Sequence, residues 1–90
     1  MKKLVKVEEV DGEGLLGLLN KRVMLMCGSY FYEGILEGVN DTFVKLVDAY
    51  IVFETGPFTD KSYKDRQKLN SYEWYVTTQS IESFGLSKLN

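Results

Sequence analysis

Cys27 is the only thiol in this 90-residue chain and histidine is absent, which together decide most of the chemistry it can do. Without an imidazole there is no Ser-His-Asp or Cys-His arrangement and no histidine-ligated metal. A lone cysteine makes neither an internal disulfide nor a cysteine cluster for zinc. Carboxylates are then the available acid–base groups, and Glu8, Glu9, Asp11 and Glu13 are the densest set. Their spacing does not follow the ligand ladder of a calcium-binding loop. They read as a solvated face that also favours the N-terminus of a following helix through its dipole. No pair of carboxylates stands out for general acid–base work. Gly12-Glu13-Gly14-Leu15-Leu16-Gly17 spells G-x-G-x-x-G after a short strand signal over 4–7. That motif holds a dinucleotide only inside a βαβ unit, and no crossover helix follows, so the glycines read as spacing at the start of a helix. The expectation is a protein that is not an enzyme, with no catalytic residues, no cofactor and no metal.

Two groups suit binding instead. Tyr30, Phe31, Tyr32, Phe43, Tyr50, Phe53, Tyr72, Trp74 and Tyr75 are more aromatics than one small core needs. Those on an outward row could stack nucleobases or fill a subunit interface. Lys61, Lys64, Arg66 and Lys68 surround Tyr63, and bases interleaved with an aromatic suit contact with a phosphate backbone. Asp60 and Asp65 dilute that field, and a solvated hairpin tip is an equal alternative. The net charge of −2 excludes a basic footprint over the whole chain. The balance is +1 over 1–28, −4 over 29–54, +2 over 55–71 and −1 over 72–90.

The elements that must position these groups are mainly β. Leu15, Leu16, Leu18 and Leu19, with Asp11 as a candidate N-cap and Asn20 at the far end, predict a short helix over about 12–20. Gly14 and Gly17 weaken it by about 1 kcal/mol each if they are interior. Apolar runs and alternation predict strands over about 22–27, 30–39, 43–54, 72–78 and 81–84. Gly34 and Gly38 fall on one row of the second strand and predict a sharp bend there. The polar stretch 56–71 reads as a long loop. With no helix between strands the sheet must be antiparallel, and five strands with a bent second one close most naturally into a small barrel. One domain is expected at this length. No apolar run exceeds five residues, the length of Ala49 to Phe53, too short for a bilayer. The N-terminus lacks the long apolar region of a signal peptide. A cytoplasmic domain with no membrane association is the expectation.

The stretch Leu15 to Asp48 resembles the first signature of the Sm/LSm superfamily, which includes bacterial Hfq. The matching features are the helix ending in Leu19-Asn20, the strand with Gly34, Leu36 and Gly38, the turn at Asn40-Asp41, and Phe43-Val44-x-Leu46 after it. Tyr75 to Phe84 occupies the place of the second signature, so the resemblance covers about two-thirds of the chain. It implies an N-terminal helix over a bent five-stranded barrel of SH3 type. It also implies a homo-oligomeric ring in which the fourth strand of one subunit pairs with the fifth of the next, a head-to-tail contact closed by rotation. The interface candidates are Tyr72, Trp74, Tyr75, Val76, Ile81 and Phe84.

The same resemblance implies single-stranded RNA as a partner, held between two loops. Here these are Asn40, Asp41, Thr42, Phe43 and Val44 in the first and Thr77, Thr78, Gln79 and Ser80 in the second. Sm proteins read uridine with an Asn where this chain has Val44, and use an Arg-Gly pair where it has Thr77-Thr78. Hfq has a Lys-His pair where it has Thr78-Gln79. The expected RNA contact is therefore altered or weak. Glu33, Glu37, Asp41 and Asp48, repeated around a ring, would repel phosphates. That makes Lys61, Lys64, Arg66 and Lys68 the second candidate RNA surface. The alternative is a ring scaffold for protein partners that no longer binds RNA.

Overall fold

The computed structural model describes residues 12–90, so the strand signal over 4–7, the acids Glu8 and Glu9 and the cap candidate Asp11 lie outside the described residues. The helix expected over 12–20 is a single 3₁₀ turn, Gly14–Leu18, with no side-chain cap. The reason is in the glycines. Gly12 and Gly14 take left-handed φ values of 80° and 67°, and a Cβ at Gly17 would collide with the Gly12 carbonyl. The chain folds back on itself here instead of winding on, and Asn20 ends the turn at φ 68°. Leu15 and Leu18 still reach the core.

Six strands follow: β1 Arg22–Cys27, β2 Phe31–Val39, β3 Phe43–Glu54, β4 Asp65–Lys68, β5 Glu73–Thr77 and β6 Ile81–Leu86. They form one antiparallel sheet, ordered β4-β3-β2-β1-β6 with β5 also on β3. This corrects the five-stranded closed barrel in two respects. The segment read as a loop over 56–71 contains β4, and the sheet is open, because β5 pairs with β3 and β6 with β1 but not with each other. β3 is long enough to carry two partners end to end: β5 lies along Phe43 to Val47 and β4 along Tyr50 to Glu54. Between them Asp48 sits at φ 49°, and the Leu69 amide donates to the Ala49 carbonyl at 3.1 Å, bridging the gap.

The bend falls where the register of β2 on β3 shifts, between Glu33 and Ile35 and again between Leu36 and Gly38. At Gly34 a Cβ would lie 3.1 Å from the Val47 carbonyl oxygen and 3.2 Å from the Ala49 Cα. Glycine is thus what lets the two strands approach at the corner. Strand alternation divides the side chains between two faces. One face carries the main core of Val23, Leu25, Cys27, Leu36, Val44, Leu46, Ala49 and Val76. The other carries Met24, Val52 and Tyr63, with Met26, Phe31 and Leu89 against them. Tyr63 comes from the tip of the β3–β4 hairpin, which therefore folds across the second face. Lys88 clasps it there, donating to the Thr55 and Pro57 carbonyls at 2.7 and 2.9 Å. Among the described residues no helix is long and apolar enough to cross a membrane.

Candidate nucleic-acid interface

The two loops expected to hold RNA are brought together. Asn40 builds the first: its Oδ1 accepts from the Thr42 and Phe43 amides at 2.8 and 2.7 Å, and its own amide donates to the Phe43 carbonyl at 2.9 Å. The second is a 3₁₀ turn, Thr78–Ser80, joining β5 to β6. Thr78 ties the two, its hydroxyl donating to the Asp41 carbonyl at 2.8 Å and its amide to the Thr42 carbonyl at 2.9 Å. Asp41, Thr42, Thr77 and Gln79 are exposed around this junction. Phe43 is 42% exposed and meets Tyr75 edge to face with ring centres 6.3 Å apart. The junction therefore offers an exposed ring, an amide at Gln79 and hydroxyls at Thr42 and Thr77 for a base to stack on and bond to. Val44 is fully buried in the core and offers nothing to a ligand. Beside the junction, Lys45 bridges Glu37 at 2.7 Å and Glu73 at 3.4 Å. The hydrogen bond to Glu37 pushes its pKa up, so its charge is engaged within the sheet.

The basic segment is not the free patch its composition suggests. Arg66 donates to the Glu33 carboxylate at 2.7 Å and lies 3.6 Å above the Tyr50 ring. Lys68 pairs with Asp48 at 3.4 Å and Lys64 with Glu54 at 3.3 Å. Tyr63 is buried and shares a hydrogen bond with the Ser87 hydroxyl at 3.1 Å. Only Lys61 of the four bases has no ion pair among the described residues.

Glu33, whose importance the sequence did not signal, is the centre of this arrangement. It is fully buried and receives Arg22 through Nε and Nη2 at 2.7 and 2.9 Å as well as Arg66. Arg22 continues to Asp48 at 3.0 Å, and the bond to Glu33 raises its pKa further. Burial pushes the Asp48 carboxyl up, but Arg22 and Lys68 together outweigh it and hold the group below its ordinary value. The acids expected to repel phosphates are thus partly neutralised: Glu33, Glu37 and Asp48 all carry internal cations.

The interface candidates divide by burial. Val76 is buried, and Trp74 and Ile81 pack against the main core. Tyr72, Tyr75 and Phe84 remain 60%, 56% and 44% exposed. Cys27 is buried, and that burial raises the pKa of its thiol. No protein-family model matches the chain, and no curated protein is significantly similar to it.

Proposed function

We propose that this chain is an Sm-like subunit that forms a homo-oligomeric ring and holds single-stranded RNA without chemistry. The observation that carries the reading is the edge arrangement: among the described residues β5 and β6 are each paired on one side only, with β3 and β1. An unpaired strand edge is a template for another chain, and a second copy supplies the matching one. In this reading the junction tied by Thr78 presents Phe43 for stacking, with Gln79 and Thr77 as polar partners and Asn40 as the residue that shapes the loop. The pairing of Arg66, Lys68 and Lys64 with acids favours the other reading, a ring scaffold for protein partners. A cytoplasmic location accompanies both.

Mobility-shift titration of the full chain with short U-rich and A-rich RNAs separates them. Binding that is lost on Phe43→Ala supports the RNA reading. No shift at micromolar protein supports the scaffold.

A further inference from the structure

We infer that a cleft on the outer face of β6 seats Tyr75 of a neighbouring copy. This inference rests on the ring reading and adds its register. The cleft has a volume of about 150 Å³, the size of an apolar cavity that accepts a benzene ring. Met24 and Met26 line it from β1, residues 83–86 line it from β6, where Ser83 and Gly85 carry little bulk, and Phe58 from the hairpin tip completes it.

The pairing of β1 with β6 fixes which side chains share a face. Phe84 and Leu86 lie opposite Leu25 and Val23, on the side of the main core, while Ser83 and Gly85 lie opposite Met26 and Met24. Phe84 and Leu86 are nevertheless 44% and 53% exposed, because among the described residues no strand lies beyond β6. On β5 the division is complementary. Trp74 and Val76 lie opposite the buried Leu46 and Val44, and Tyr75 lies opposite Lys45 on the other face. A sheet that continues from β6 of one copy into β5 of the next keeps each face continuous. Phe84 and Leu86 then meet Trp74 and Val76, and the large Tyr75 meets the small Ser83 and Gly85. A slip of one residue would reverse every side chain and set Tyr75 against Phe84. Phe43 already supports the Tyr75 ring from its own chain, so the knob is held in position before assembly.

Gly85→Phe fills the cleft from within. A Cβ at Gly85 meets nothing within 4 Å, so the isolated subunit has room for it. Tyr75→Ala removes the knob from an exposed position, and Tyr75→Phe keeps its ring. Light scattering over a concentration series, with thermal melts to check folding, reads the result. The expected outcome is an assembled wild type and Tyr75→Phe, with Gly85→Phe and Tyr75→Ala needing about tenfold or more protein to assemble. If Gly85→Phe does not fold, Tyr75→Ala decides. If the wild type assembles and the variants assemble equally well, the cleft assignment is overturned and the ring stands. A wild type that stays monomeric throughout overturns both.

Discussion

Glu33 shows how one residue can hold a surface together while looking like an ordinary strand carboxylate. Its side chain is fully buried, and its two oxygens take three hydrogen bonds from two arginines on different strands. Such a cluster is weak evidence for net stability, since desolvation offsets the attraction. Breaking it is another matter, because Arg66 loses its carboxylate and Arg22 keeps only Asp48. Glu33→Ala is expected to cost about 3–5 kcal/mol in urea denaturation, and a loss under about 1 kcal/mol would show the arginines finding other partners. Asp48 gives the pH dependence. Its folded pKa lies below the ordinary 3.8, so its contribution is full above that value and is lost as pH falls through the depressed one. Asp48→Asn tolerates the left-handed backbone at this position and removes the charge. The stability gap between wild type and this variant is expected to be constant near neutrality and to close in acid; a gap that persists unchanged in acid would assign it to the side-chain geometry.

The hairpin of β3 and β4 is where sequence and structure part, and the cause is physical. β1, β2 and β3 were legible because apolar residues mark them, and the bend was legible because Gly34 and Gly38 share one row of β2, the first of them where a Cβ would press on Val47 and Ala49. Asp65-Arg-Gln-Lys68 has no apolar residue and becomes a strand through its pairing with β3, a tertiary effect that propensity does not carry. The expected helix failed where backbone conformation, not apolar spacing, decides. In the candidate site, the proximity of the two loops was an implication of the resemblance, whereas the engagement of Arg66 by Glu33 depends on a fold-dependent meeting of β2 and β4. The hairpin tip is held by Lys88, whose ammonium bonds the Thr55 and Pro57 carbonyls and lies 4.7 Å from the centre of the Tyr63 ring. Lys88→Met removes those bonds while keeping an apolar stem. Trypsin is then expected to cut at Lys61 and Lys64 several-fold faster, as a local opening would allow; an unchanged cleavage rate would mean the buried Tyr63 alone anchors the tip.

At the scale of the whole molecule, charge and stacking make opposite demands on an RNA ligand. Each copy carries a net −2, and an assembly multiplies it, so long-range attraction of a polyanion is not available. Of the basic segment, Arg66, Lys68 and Lys64 are committed to acids, and Lys61 is without an ion pair among the described residues. On the proposed RNA reading, the ligand is therefore expected to be held mainly by stacking at Phe43 and bonding near Gln79. Two measurements follow from that. Each phosphate contact on a single strand contributes about 0.7 to the slope of log affinity against log salt, so the slope is expected to be shallow and to stay unchanged with Lys61→Ala, which lies on the hairpin beyond the far end of β3 from Phe43. Phe43→Ala should weaken binding by about 1–3 kcal/mol, the worth of one stacked base, without changing the slope. A steep slope that collapses when Lys64, Arg66 and Lys68 are neutralised, with Phe43→Ala silent, would instead place the RNA on the hairpin and require its ion pairs to open on binding.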